Sequence, residues 1–195
     1  MPAKPAASRF QLQKDRMLKA AAHCFNQKGY SGSSLKDVAD ILGLTDAALY
    51  YYVRNKQQLV YLCYVRAAEL GDAALQAARQ QGGSGLQQVQ QCIRNQVEIM
   101  VGEQGPIAIM SEIQSLPPEH RDEVLALSRR HSSNFEKLLL TGIADGSIRD
   151  CDVRMTGNAI MGSINWIPKW YRGDAEVAEQ VLEEFPRVLS AGLKA

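Results

Sequence analysis

No run of about eighteen apolar residues occurs in this 195-residue chain, so nothing in it reads as a membrane-crossing helix. The opening MPAKPAASRF has charge and proline but lacks the apolar stretch of a secretory signal, and residues 1–8 read as a short disordered arm. Metal and redox signatures are missing too. The four cysteines (Cys24, Cys63, Cys92, Cys151) form no CxxC, and the three histidines (His23, His120, His131) show no HExxH or other paired spacing. No metal or cofactor is therefore expected, and the thiols should be free and buried in a reducing cytoplasm. GxSxG, P-loop and GxGxxG patterns are absent, which argues against an enzyme. Strand signals are scarce as well: no stretch of five or more residues alternates apolar and polar side chains between turn residues.

What remains is helix nearly everywhere. Phe10, Met17, Ala20, Ala21, Cys24 and Phe25 share one face of a first helix from about Arg9 to Lys28, which Gly29 ends. Ser34 and Asp37 form a capping box for a second helix with Leu35, Val38, Ala39 and Leu42 inward. Gly43 turns the chain, Thr45 caps a third helix, and Asn55 caps a long fourth one reaching about Gln81. GGSG at 82–85 reads as a flexible break before a fifth helix to Val101. A sixth opens at Gly105-Pro106 and is interrupted at Pro117-Pro118, and three more cover 119–145, 152–171 and 175–193. The expectation is an all-α chain of about nine helices. A three-helix head at 9–54 precedes a larger helical body at 55–195.

A net charge of +1 hides a division between these parts. Residues 1–56 hold nine Lys and Arg against four Asp, and the rest holds thirteen basic against seventeen acidic side chains. A basic head on an acidic body suits a protein that touches phosphate with one end. The segment SLKDVADILGLTDAALYYYVRNK, residues 34–56, is a helix-turn-helix, which presents one helix to a DNA major groove. Leu49 and Val53, four residues apart, hold that helix inward with Leu44, leaving Asp46, Ala47, Tyr50 and Tyr51 toward the groove. Ala47 is small enough to meet a thymine methyl, and the tyrosine hydroxyls reach phosphate or a base edge. Ser34 at a helix start, Lys56, Lys36 and Arg54 are phosphate candidates, with Thr45 at the head of the recognition helix.

The stretch GYSGSSLKDVADILGLTDAALYYYVRNKQQL resembles the DNA-binding head of the TetR/AcrR family of transcriptional regulators. The likeness runs from about Arg9 to Leu62 and rests on Gly29-Tyr30, Ser33-Ser34, Asp37-Val38-Ala39, Gly43, Leu49-Tyr50-Tyr51, Lys56 and Leu59. Two positions depart from the family pattern: Val53 stands where Phe is usual, and Asp46 where a small, basic or proline residue is commoner. The acid at that lip either repels phosphate or accepts from a cytosine amino group, so the operator sequence is not carried over.

One head covers few base pairs, so a palindromic operator read by a homodimer is expected. The last two helices are the expected contact. Gly157, Ala159, Gly162 and Ser163 permit close approach, and Val177, Val181, Leu182, Phe185, Val188, Leu189 and Leu193 form an apolar stripe that Pro186 should kink. The resemblance further implies a ligand pocket in the body whose occupancy moves helix four and releases DNA. Met100, Met110, Ile113, Phe135, Leu138, Met161, Asn165 and Trp166 are the candidate lining, with Ile109 and Leu139. Asn165 to Arg172 (NWIPKWYR) resembles a stretch in members that answer to acyl-CoA thioesters or related lipid acids. Arg129, Arg130, His131 and Arg172 are candidates for a CoA phosphate or a carboxylate. The expected function is a ligand-responsive, cytoplasmic regulator, a repressor rather than an activator. The alternatives are a helical small-molecule carrier or adaptor with a degenerate head and, behind it, an enzyme acting on a CoA thioester.

Overall fold

The computed structural model describes residues 9–102 and 110–195, the side chains of 110–112 excepted. In chain order the helices are α1 (Arg9–Lys28), α2 (Leu35–Leu42), α3 (Asp46–Tyr50), α4 (Lys56–Gln81), α5 (Gly85–Val101), α6 (Pro118–Ala144), α7 (Val153–Trp170) and α8 (Ala175–Ser190). Among the described residues the extended pairing is one isolated antiparallel bridge, Ile148 with Lys194. The fold is all-α, with eight α-helices among the described residues where about nine were expected. The difference lies before Pro117: the described part of the expected sixth helix, Met110–Ser115, is a 3-10 turn, and Gly105-Pro106 lies outside the described residues.

Local chemistry sets the helix limits. Ser34 accepts from the Asp37 amide while the Asp37 carboxylate accepts from the Ser34 amide, closing the capping box at α2. Thr45 and Asn55 cap α3 and α4 from their side chains. The GGSG break is a defined turn, because Ser84 with Gln87 builds a second capping box at α5. Asp152 and Asp174 each accept two first-turn amides at α7 and α8. Pro186 does not interrupt α8, which continues to Ser190.

Two cores follow. The head packs Met17, Leu18, Phe25, Val38, Leu49, Val53 and Leu59 around α1 to α3 and the start of α4. Phe10 stays outside, 46% exposed, because the start of α1 overhangs the core, and its ring stacks on Tyr52 at 5.3 Å. The body core gathers Val89, Ile93, Phe135, Leu139, Ile160 and Ile164 between α5, α6, α7 and α8. Helix α4 serves both: Val60, Cys63 and Tyr64 complete the head, while Leu75 and Ala78 sit in the body. At ~1.5 Å per residue such a helix is a rod of roughly 39 Å that spans both cores. At the far end of the body, Gly85 meets Gly142 so closely that a Cβ on Gly85 would lie 2.2 Å from the Gly142 backbone.

Candidate nucleic-acid interface and body cavity

The head presents one cleft of about 430 Å³ where the N-termini of α2 and α4 come together beside α3. Ser33, Ser34 and Lys36 line it from α2, Asp46 and Tyr50 from α3, and Arg54, Asn55 and Lys56 from the start of α4. A helix leaves its first amides without intrahelical acceptors, so two helix starts and three cations face this cleft. Asp46 is one opposing charge. Three cations and two positive helix ends outweigh it, so the charge facing the cleft is net positive. At its rim Tyr50 is 56% exposed, and beyond the rim Tyr51 is 73% exposed with Ala47 exposed beside it. Leu49 and Val53 are buried beneath, so the recognition helix faces as its spacing required. Val53 fills its place at 1% exposure despite its small size.

Two of the predicted phosphate ligands are otherwise engaged. Lys56 Nζ donates to the carbonyl oxygens of Tyr30 and Ser33 and lies 4.0 Å over the Tyr30 ring. It therefore holds the α1–α2 turn, leaving one of three ammonium hydrogens for DNA. Ser34 Oγ donates to Asp37 Oδ2 and accepts the Asp37 amide at 3.1 Å, so the backbone amides of Leu35 and Lys36 are the donors left at this end. Lys28 holds the other Asp37 oxygen, and this hydrogen bond, with that from Ser34, keeps the Asp37 carboxyl well below the usual range. Lys36 and Arg54 are exposed. Thr45 accepts from the Ala48 amide at 3.3 Å. Asn55, legible as a cap, also lines this cleft, and Tyr30, legible only as part of the family motif, supplies a carbonyl and the ring that hold Lys56.

In the body an apolar cavity of about 150 Å³ lies between α4, α5 and α6. Of the predicted lining, Met100, Ile113 and Asn165 face it. Phe135 and Leu138 do not: they are buried in the body core, Phe135 against Gly157, because their stripe on α6 turns toward α5 and α7. Leu139 is also in that core. Met161 sits one layer behind, its sulfur 3.5 Å from Gln96 Nε2. Trp166 is 62% exposed on the outer side of α7, since Ile164 and Ile167 take the inward positions. The side chain of Met110 and all of Ile109 lie outside the described residues. The cavity instead draws on Tyr64, Gln96, Val124 and His131. Gln96 had a signal: it is the polar member of the buried α5 face Val89, Cys92, Ile93, Gln96, Met100. Of the basic candidates, Arg130 pairs with Asp72 at 2.7 Å and Arg172 donates to the carbonyls of Lys169 and Tyr171, while Arg129 is exposed.

Tyr64 and Val124 belong to the head core and to the cavity wall at once, with Ile113 packed against both. Nearby, Tyr61 donates to Glu123 Oε2 at 2.7 Å, stacks on His120 at 4.1 Å, and Gln57 donates to the Ser115 carbonyl at 3.0 Å. Burial and Glu123 push the Tyr61 phenol up to about 12. Tyr64, Val124 and Ile113 are thus shared between the cavity wall and the head core, and the Tyr61 and Gln57 contacts lie beside them. Among the described residues no group of three or more acidic, His or Cys side chains is placed to hold a metal, and no helix is long and apolar enough to cross a membrane.

Comparison with known proteins assigns both halves. The family model described as bacterial regulatory proteins, tetR family, matches residues 17–61, and that of the tetracyclin repressor-like C-terminal domain matches 82–193. The transcriptional repressor KstR2 of Mycolicibacterium smegmatis is 24% identical over 203 residues, spanning 98% of this chain and 93% of that protein. The crystal structure of the regulator PfmR from Thermus thermophilus is 30% identical, with 92% of this chain and all of that one covered at a TM-score of 0.77. AibR, crystallised with isovaleryl coenzyme A and operator DNA, is 23% identical over 90% of this chain and 97% of its own, with a TM-score of 0.73.

Proposed function

The chain belongs to the TetR family of bacterial regulatory proteins, and from that premise we propose that it is a dimeric repressor that leaves a palindromic operator when a small acyl ligand fills its body. The observation that carries the DNA half is the head cleft, where two helix starts and Lys36, Arg54 and Lys56 adjoin the exposed face of Ala47, Tyr50 and Tyr51. The degenerate-head alternative loses its support, since Val53 is buried in a complete core and Asp46 is outnumbered in the cleft. DNA from immediately upstream of the gene, titrated by fluorescence anisotropy over a salt series, tests this. Tyr50→Ala should weaken specific binding about tenfold, and Lys36→Ala should weaken all sequences alike and lower the salt slope by about one. If both variants bind as the wild type does, the assignment is wrong.

For the ligand, the support is an apolar cavity whose walls are shared with the head core. About 150 Å³ accommodates a group the size of benzene, so the reading is a short or branched acyl group and not a long chain. The likeness to AibR, whose crystals hold isovaleryl coenzyme A, points the same way. A ligand pressing on Tyr64 and Val124 shifts the seat of α4, and it biases the head only by as much as it prefers one setting over the other. Dimerisation is assigned to α7 and α8, where Met155, Trp166 and Val188 are 61%, 62% and 59% exposed. Ala159 and Gly162 face outward with them, while Gly157 is spent inside the protomer.

A further inference from the structure

One polar side chain interrupts the apolar face that α5 turns to the cavity. Gln96 is 6% exposed, and its amide nitrogen lies 3.2 Å from His131 Nε2. On the far side of the ring, Nδ1 meets Asp72 Oδ1 at 3.3 Å, while Arg130 holds the other carboxylate oxygen at 2.7 Å. An ionised carboxylate only accepts, so Nδ1 carries a proton; in the neutral ring Nε2 then offers its lone pair, and the Gln96 amide nitrogen beside it supplies the N–H. The second hydrogen of that amide is left with sulfur, Met161 Sδ at 3.5 Å and Cys92 Sγ at 3.7 Å. Sulfur is a weak acceptor, so a nearly unused donor stands at the wall of an apolar cavity. Space for the ring is made on α4: a Cβ at Gly71 would lie 3.1 Å from His131 Cε1.

We propose that Gln96, oriented by His131 and Asp72, donates to a carbonyl oxygen of the ligand, making the cavity selective for a short acyl group over an equally apolar group without a carbonyl. The selectivity comes from the empty case. An apolar ligand closes the cavity over Gln96 without giving its donor an acceptor, and that desolvation counts against it. Gln96 is the contact, while His131 and Asp72 are positioning residues that fix which amide atom faces the ligand. This inference rests on the short-acyl reading above. A thioester carbonyl and the carboxylate of a free acid both present an accepting oxygen, so both belong in the test.

Pentanoyl-CoA, pentanoate and S-pentyl-CoA, the thioether that keeps the chain and the CoA but has no carbonyl oxygen, separate the possibilities when titrated calorimetrically into the full chain. The wild type should bind pentanoyl-CoA at least about tenfold tighter than S-pentyl-CoA. Whichever of pentanoyl-CoA and pentanoate binds tighter identifies thioester or acid as the source. Gln96→Leu should lose about tenfold for these two probes and nothing for S-pentyl-CoA. His131→Phe, which keeps a ring against Gly71 but removes the lone pair, should reduce the same thioester-to-thioether ratio. Gln96→Met keeps the side-chain length and replaces Gln96→Leu should that variant fail to fold. Equal wild-type affinity for thioester and thioether, unchanged carbonyl binding in the Gln96 variant, or an equal loss for the thioether overturns the role of Gln96 and leaves the short-acyl reading standing. If the wild type binds none of the three probes, the short-acyl reading falls, and this proposal with it.

Discussion

Lys56 illustrates how residue type and spacing name a side chain without revealing what it is already doing. A lysine at the start of a helix beside a recognition helix is a fair phosphate ligand, yet here it ties down two carbonyls of the preceding turn. Those carbonyls belong to Tyr30 and Ser33, more than twenty residues away in sequence, so no local pattern could show them. Trp166 went astray for the opposite reason: a large apolar residue was assigned to the interior, but the inward positions of α7 are filled by Ile164 and Ile167. All four cysteines are free, and Cys24, Cys63 and Cys92 are buried as expected, but Cys151 is half-buried. Burial pushes the thiols of Cys63 and Cys92 up to about 12 and 11, and that of Cys24 is raised by burial first and by Asp37 second. Thiolate is the reactive form, so these three should be inert. Ellman's reagent should therefore titrate at most one thiol in the native protein, the half-buried Cys151, and all four after denaturation.

At the scale of elements the sequence was largely legible, because caps and breakers act over three or four residues. Both ends of α2 were readable from Ser34, Asp37 and Gly43, the last with φ of 63°. The break at GGSG separates α4 from α5 as read, and Ser84 with Gln87 carries the capping signal that starts α5. The α2 cap gives two linked expectations. Ser34→Ala should remove a cap worth about 1 kcal/mol, lowering the melting temperature by roughly 2–4 °C. Asp37 is held below its ordinary value by Lys28 and Ser34, so its stabilisation is complete above the unfolded-state value and vanishes as pH falls through the folded one. The melting-temperature gap between wild type and Asp37→Asn should thus be full near neutrality and narrow below about pH 4. A gap that stays constant down to pH 2 would show that the carboxylate charge contributes nothing.

For the molecule as a whole, the consequence is that α4 joins a reader to a cavity. The head core does not end where the helix-turn-helix motif does; it runs through Val60, Cys63 and Tyr64 to Leu116 and Val124 of the body. A second whole-molecule expectation concerns assembly. Leu182 and Leu189, natural choices for disrupting a dimer from sequence, are half-buried against the protomer's own core, so charge there would confuse unfolding with dissociation. Trp166→Arg with Val188→Arg changes two exposed positions and should yield folded monomers by light scattering with an unaltered circular dichroism spectrum. A dimer that survives both changes would place the interface elsewhere.

The sequence alone determined the helical class, the limits of most helices, and the direction in which the recognition helix faces. Each is a matter of periodicity, caps and i, i+4 spacing within a short stretch of chain. The motif also carried the family. Tertiary structure alone decided which charges remain free for phosphate, which apolar residues are core and which are wall, and that His131, Gln96 and Asp72 meet from three helices. Those outcomes depend on contacts between residues tens of positions apart, where an apolar side chain looks the same in sequence whether it faces a neighbour, a cavity or water.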